Sequence, residues 1–568
     1  MDTSTMSVAH RILQDARQRG TRLAFGVHGA NIEDIYAAAA DIDLPTVVAK
    51  HEFAAGAMAD GLTRVTGVPG LVLTTSGGGA MNVIGALAEC YDSRVPILAV
   101  IGSAPTALVS RGAFQDMLSP PDTIDLERLV GAVTGHCSVI DSAAALQPAL
   151  NAAAACLAAD LPAALVIPKD VQQQPLPSPS PRHTDSIVTV APTTTAGSEH
   201  AMLAEFAAEL ADTVRRGDRV VIWVGEEASR RQVGHLVRTL ADRLGANVLA
   251  APGGMDATGT DGTHGPGITG VMGHPSAVTA MAGAARCVAI GCRMSITDRA
   301  GLDDVLARIP VTHLGSHPPR LPGCTHLGVA SLPAALRTLE VELADLGVAA
   351  TAPAATGREF LEVPNPPAPD HDRASMSLRD VVASASGELP DDALIFADAG
   401  NIGATVVHHL TLRAQQRFGV ALGMGGMGHA IAAAIGVAVA EAAGSRRRCV
   451  AFAGDGAFFM HGMEFHTAVE HGAPVTLIVA NNDAHGMCVT REGLFFPNTI
   501  SSNRFRHTDI GSGLAAMFNG IDVRCPTDPG ELRVDCKQLF AADGPNCLVV
   551  ETDCDEVPPF LPFLPKGP

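Results

Sequence analysis

Three observations predict an α/β protein built from three doubly wound parallel-sheet domains. Short, almost wholly apolar runs recur at strand length along the whole chain. Ala-rich stretches of helical character separate them. Two segments rich in Pro, Ser and Thr, 171–198 and 350–375, cut the chain into three blocks. Such segments cannot fill a core and read as extended linkers. The blocks expected from these cuts are an N-terminal domain at 1–172, a central domain at 195–348 and a C-terminal domain at 376–556. Each is of ordinary domain size.

The strand candidates justify the class block by block. They are 45–49, 70–75, 96–102 and 162–168 in the first block, with a further strand ending at Val27. The second has 219–225, 247–253, 287–291 and 311–315, and the third 393–398, 449–455, 474–481 and 546–553. Near-continuous apolar strands that alternate with helices indicate parallel sheets covered on both faces. Val8, Ile12 and Leu13 fall at helical spacing, as in an amphipathic surface helix.

Composition excludes several classes. The formal net charge of -20 argues against nucleic-acid binding, which needs a basic footprint. No apolar run reaches the ~20 residues of a membrane span, and the N-terminal stretch lacks the basic start and apolar segment of a signal peptide. The 12 cysteines include no Cys-x-x-Cys pair and suit free thiols in a cytoplasmic protein.

Chemistry is concentrated in the third block. Gly454-Asp455-Gly456-Ala457-Phe458 follows an apolar strand and opens a helix, and the next strand ends at Asn481-Asn482. A carboxylate and an amide at the ends of adjacent parallel strands can converge on one hard cation. Mg²⁺ takes oxygen ligands and leaves part of its shell to phosphate and water. Small residues beside Asp455 let backbone N–H groups approach a diphosphate at a helix N-terminus. Either motif alone would usually be a tight turn.

Together they resemble the Gly-Asp-Gly…Asn-Asn signature of thiamine-diphosphate enzymes. The resemblance implies that Asp455, Asn482 and the backbone carbonyl of Ala484 hold Mg²⁺ on the cofactor's diphosphate, beside Gly454, Gly456 and Ala457. It implies that Glu52, where a strand enters a helix, is the acid that engages the cofactor's aminopyrimidine. Alone, Glu52 would read as a charge complementing a helix dipole. In the segment 423–428, Met427 is implied as the apolar wedge that bends the cofactor, and the Gly425 carbonyl as an acceptor. Gly400, Asn401 and Met487 complete the implied cofactor contacts.

The resemblance runs over nearly the whole chain and looks like the acetolactate synthase branch, including benzaldehyde lyase. Thr75–Asn82 and Ala113-Phe114-Gln115-Asp116 are similar to loops of that branch, with Gly78 in place of a proline. His28 stands where most of the branch has proline, and resembles benzaldehyde lyase there. An imidazole can shuttle protons near neutral pH, and Gln115 could orient a substrate oxygen beside it. FAD, bound centrally by acetolactate synthases, is expected to be absent, because 311–320 lacks an acidic Asp-x-Asp stretch.

The reading is a homo-oligomeric carboligase or lyase acting on 2-oxo acids, aldehydes or 2-hydroxyketones. The family implies a homodimer or homotetramer with active sites between subunits. The rival readings are an acetolactate synthase proper with FAD and a catalytically silent regulatory relative. Phe114, Met487 and 494–496 are expected to shape the substrate pocket. His461, Glu464 and His466 have metal-like types but read as structural, on the helix after Asp455.

Overall fold

A computed structural model describes residues 6–176, 196–257, 265, 267–351, 357–364, 373–498 and 500–564. Most of the first expected linker (177–195) and half of the second (352–356 and 365–372) lie outside the described residues. Three six-stranded, all-parallel sheets carry the architecture.

The first contains β1 (Ala24–Val27), β2 (Thr46–Val48), β3 (Gly70–Thr74), β4 (Ile97–Ser103), β5 (His136–Val139) and β6 (Ala163–Pro168). The second contains β7 (Val220–Val224), β8 (Asn247–Ala250), β9 (Gly267–Ile268), β10 (Arg286–Ile290), β11 (Val311–Gly315) and β12 (Thr325–Gly328). The third contains β13 (Leu394–Ala397), β14 (Arg417–Val420), β15 (Cys449–Gly454), β16 (Val475–Asn481), β17 (Asp522–Arg524) and β18 (Asn546–Glu551).

The strand orders are β2-β1-β3-β4-β6-β5 and β14-β13-β15-β16-β18-β17 in the outer sheets, and β12-β11-β10-β7-β8-β9 in the middle one. The two outer sheets therefore share one winding. In each, the chain leaves its first strand in one direction and returns on the other side. That creates a crevice at the carboxyl ends of β1 and β3, and again of β13 and β15. Such reversals are where doubly wound sheets accept ligands.

By proximity the chain forms two compact units. One is 1–191 with 421–446 and 459–474; the other is 192–420 with 447–458 and 475–568. In the first unit the helix Glu52–Thr66 packs along the helix His429–Ala442 with almost no spacer. A Cβ on Gly61 would lie 2.7 Å from the Ala433 side chain and 2.9 Å from its backbone, and one on Gly436 would lie 2.5 Å from Met58. Glycine at these positions is a packing requirement, since the opposing atoms include backbone that cannot swing away.

Residues 455–470 depart from expectation. The helix Asp455–His461 ends, a 3₁₀ turn covers Gly462–Glu464, and a second helix runs Phe465–Glu470. The buried Glu464 carboxylate accepts from the Lys50 N–H at 3.0 Å and from the Thr467 hydroxyl at 2.6 Å. Glu464 sits at the end of this 3₁₀ turn, where the expected continuous helix is interrupted.

In the second unit, His274 stacks on His408 with ring centroids 4.5 Å apart, and its Nε2 bonds the His408 carbonyl at 2.9 Å. His408 Nδ1 bonds the Met272 carbonyl at 2.9 Å. Burial, helped by the neighbouring imidazoles and Arg358, pushes His274 and His409 down to about 3; burial with Arg358 and Arg379 pushes His408 down to about 4.

Two predictions follow from this packing. Gly61→Val should lower stability by about 1–3 kcal/mol, the usual cost of overpacking a tight core, read as a lower denaturation midpoint; an unchanged midpoint would refute the close approach. The three histidines are neutral in both states above the ordinary value of 6.5. Below it the unfolded chain takes up protons that the folded chain refuses, so the contribution of these three histidines to stability falls as pH drops from 6.5 towards 4. Buried acids raised to about 7, such as Glu556, contribute in the opposite sense, so the histidine share is read as a difference: over that range His409→Gln should lose less thermal stability than wild type.

Candidate active site

The third sheet supplies an oxygen-lined cradle. Asp455 is the first residue after β15 and Asn482 the first after β16, and these strands are hydrogen-bonded neighbours. The Asp455 side chain is buried. Its Oδ1 accepts from the Gly456 N–H at 2.9 Å, and its Oδ2 from the Ala484 N–H at 3.2 Å. The same Ala484 N–H reaches Asn482 Oδ1 at 3.1 Å. The two side-chain oxygens thus converge on a single backbone point.

Burial pushes the Asp455 carboxyl up to about 7, with the Gly456 and Ala484 N–H groups pulling back and the Asp483 charge adding to the rise. A cation would offset the cost of burying such a carboxylate, and oxygen donors of this kind suit a hard divalent ion.

The surroundings fit a diphosphate. Gly400 (φ 108°) caps the helix Asn401–His409 in a conformation that favours glycine, and a Cβ at Gly400 or Gly454 would meet no heavy atom within 4 Å. A Cβ at Gly486 would lie 2.7 Å from the Asn482 amide and 2.9 Å from the Asn401 amide; one at Gly456 would lie 2.5 Å from His485 Nδ1. Asn401 Oδ1 and His485 Nδ1 are buried without a hydrogen-bond partner. Gly456 and Ala457 are buried in the first turn of the helix after β15, and Met487 is half-buried in the first turn of the helix Gly486–Phe495. Helix N-termini with small residues offer free N–H groups to an anion.

The loop between Asn482 and the helix is braced from outside. Asp483 adopts φ 54°, and its carboxylate pairs with Arg373 at 2.6 Å and with His507 at 3.2 Å. Left-handed backbone at a non-glycine residue is strain that surrounding contacts must hold. No sequence pattern marks Arg373 as the brace.

The first sheet supplies a second cluster. Glu52 opens its helix, is 8% exposed, and accepts from the Asn82 amide at 2.9 Å. A Cβ on Gly79 would lie 3.1 Å from Glu52 Oε1. The Tyr36 hydroxyl is buried without a partner, and burial together with the Glu52 charge raises it well above the ordinary phenol value.

His28, one residue past β1, is exposed, with its ring 4.7 Å from that of Tyr36. Gln115 (φ 61°) accepts from the Ser76 hydroxyl at 3.1 Å, and Ser76 accepts from the Asn31 amide at 2.7 Å. Sequence reasoning missed Tyr36 and the role of Asn82. Tyr36 could have been noticed, because the chain has 2 tyrosines and this one lies on the inward face of a short helix.

In the same unit, Gly425 (φ 65°) and Met427 lie in the segment before the helix His429–Ala442, with Gly425 exposed and Met427 half-buried. Phe114 is 79% exposed, and Leu494, Phe495 and Phe496 in the second unit are exposed too. In the central sheet, the Glu227 carboxylate accepts from the Ser316 N–H at 3.1 Å, and His313 Nε2 accepts from the Cys292 N–H at 3.2 Å.

The buried Asp455 and the Asn482 side chain, beside glycines and helix N-termini, form a cradle whose chemistry suits a hard cation and an anionic group. Models of the thiamine pyrophosphate enzymes match the chain three times: the N-terminal binding domain over 6–126, the central domain over 207–321 and the C-terminal binding domain over 398–550. Together these cover more than half of the sequence, and the chain belongs to that family.

Its similarity falls in the acetolactate synthase branch. It is 25% identical to a probable acetolactate synthase large subunit of Methanocaldococcus jannaschii, over 99% of this chain and 94% of that protein. It is 24% identical to the mitochondrial acetolactate synthase catalytic subunit of Saccharomyces cerevisiae, over 100% and 84%. With the isozyme 2 large subunit of Escherichia coli the identity is 25%, over 99% and 98%.

Asp455→Ala should abolish Mg²⁺-dependent binding of thiamine diphosphate in a calorimetric titration while leaving the far-ultraviolet dichroism intact. Retained binding would remove Asp455 from the cradle.

Proposed function

We propose that this chain is a thiamine-diphosphate- and Mg²⁺-dependent carboligase or lyase that makes or cleaves a carbon–carbon bond next to a carbonyl. The observation that carries the reading is the convergence of the Asp455 and Asn482 oxygens at the ends of two neighbouring strands. In this reading Asp455, Asn482 and the Ala484 carbonyl hold the cation. Gly400, Asn401, Gly454, Gly456, Ala457 and Met487 receive the diphosphate side of the cofactor.

Bound there, thiamine diphosphate would supply the nucleophilic carbon and the electron sink that carbon–carbon chemistry next to a carbonyl needs. Glu52, whose carboxyl Asn82 fixes, would hold a proton for the aminopyrimidine. The Gly425 carbonyl would accept from that ring, and Met427 would pack against the cofactor as an apolar wedge. His28 moves a proton at the substrate oxygen, and Gln115, kept in place by Ser76, orients that oxygen.

The relatives named as acetolactate synthases favour a 2-oxo acid as acyl donor over an aldehyde. The segment after β11 carries no acidic pair, which speaks against flavin in the central domain. Glu52 belongs to the first unit and Asp455 to the second. The family resemblance implies that Glu52 of one subunit serves the cofactor held by the partner, so a homodimer is the proposed minimum active assembly and a homotetramer its doubled form. No helix among the described residues is long and apolar enough to cross a membrane, and the 12 cysteines are all free, which supports a cytoplasmic setting.

Glu52→Gln should bind cofactor and Mg²⁺ as wild type does but lose turnover of a 2-oxo acid by about 10²–10⁴-fold, the usual worth of a positioned acid or base. Undiminished product formation by mass spectrometry would take Glu52 out of the mechanism.

A further inference from the structure

The first unit buries a charged network that the proposed chemistry does not use. Asp60 lies two turns along the helix that Glu52 opens, and it is fully buried. Arg64 makes a two-point pair with it, the second contact at 3.1 Å, and reaches Glu89 Oε1 at 3.3 Å. His429 Nε2 lies 3.3 Å from Asp60 Oδ1, and the Cys90 thiol donates to Asp60 Oδ2 at 3.2 Å. Two acids thus face an arginine and a histidine in the interior, where unpaired charge is strongly destabilising.

Glu89 is the member that reaches outward. Its Oε2 accepts from the Met424 N–H at 2.6 Å; its Oε1 accepts from the Gly423 N–H at 3.2 Å and from the Ser93 hydroxyl at 2.6 Å. A Cβ on Gly423 would lie 3.1 Å from the Asp92 and Ser93 side chains, so the loop approaches the helix Ile84–Ser93 closely at this point. Without this carboxylate the loop's first two N–H groups would lose their acceptor. Three residues on, the same loop carries Met427.

We propose that Glu89 is a positioning residue: it clamps the Gly423–Gly428 loop and, through Arg64 and Asp60, ties that loop to the helix bearing Glu52. The consequence for cofactor binding rests on the reading of Gly425 and Met427 given above; the clamp itself does not. Glu89 is not a catalytic residue, since nothing places it against the cofactor or substrate. Its effect is to hold the loop so that Gly425 and Met427 keep one geometry.

The test uses the full chain as wild type, Glu89→Gln and Ser93→Ala, the last removing one hydrogen bond to the carboxylate. Amide hydrogen exchange is followed for peptides covering 423–428 and 429–442 without cofactor. The dissociation constant of thiamine diphosphate with Mg²⁺ is measured by calorimetry, and near-ultraviolet dichroism of the bound cofactor reports its ring geometry.

In Glu89→Gln, exchange over 423–428 should rise at least tenfold while 429–442 stays protected. The dissociation constant should rise about tenfold and the dichroic amplitude should change. Ser93→Ala should shift exchange and affinity in the same direction, about threefold. Wild-type exchange and affinity in a folded Glu89→Gln would overturn the proposal. If Glu89→Gln does not fold, unchanged loop exchange in Ser93→Ala overturns it. Failure of the wild type to bind thiamine diphosphate would sink the functional reading alone, because loop exchange still reads the clamp.

Discussion

A carboxylate buried at the end of a parallel strand is the constraint around which the second unit is arranged. Asp455 has two backbone N–H groups to bond, and burial still drives its carboxyl up to about 7. The fold tolerates that cost at a place where a cation would remove it. Everything adjacent is consistent with keeping the space beside Asp455 open: glycines at 400 and 454, unsatisfied polar atoms on Asn401 and His485, and a strained Asp483 braced by Arg373. A carboxylate whose only purpose was stability would be found near the surface or paired with a basic side chain.

The outer sheets show how one winding serves two tasks. Both reverse direction between their first and third strands, and both place polar side chains just beyond those strands. In the third sheet the reversal carries oxygen donors and helix N-termini suited to an anion with its cation. In the first sheet Glu52, Tyr36 and His28 gather with the hydrogen-bonded chain Asn31–Ser76–Gln115. The scaffold is repeated, and the chemistry differs only at the strand ends. This is the general relation between fold and function in doubly wound proteins.

Much of this was readable from residues. Central strands were legible because they are buried on both faces and carry unbroken apolar runs; β3, β4, β15 and β16 sit close to their expected positions. The short edge strands β5, β12 and β17 were not, because half-exposed strands tolerate polar residues and lose the pattern; β9, with two residues, and β14, with four, were too short to stand out. The placement of Asp455 and Asn482 just beyond neighbouring strands, and of Glu52 at a helix start, was legible through motif and position.

Glu89 and Arg373 were not, because their roles depend on partners far away in sequence. Glu89 meets Arg64 and Gly423, and Arg373 meets Asp483. The signal for Glu89 existed: an acid sharing a helix face with the buried Ala86, Leu87 and Cys90 needs a buried partner. The inward turn of Glu464 had no comparable sign.

The most direct measurement of the central claim is a crystal structure of the chain grown with thiamine diphosphate and Mn²⁺ in place of Mg²⁺, read by anomalous scattering. One strong peak is expected within about 2.2 Å, a bonding distance for such ions, of the Asp455 and Asn482 side-chain oxygens, with the diphosphate beside it. A peak at the rival cluster of Asp483, His507 and Glu551, or none near Asp455, would contradict it.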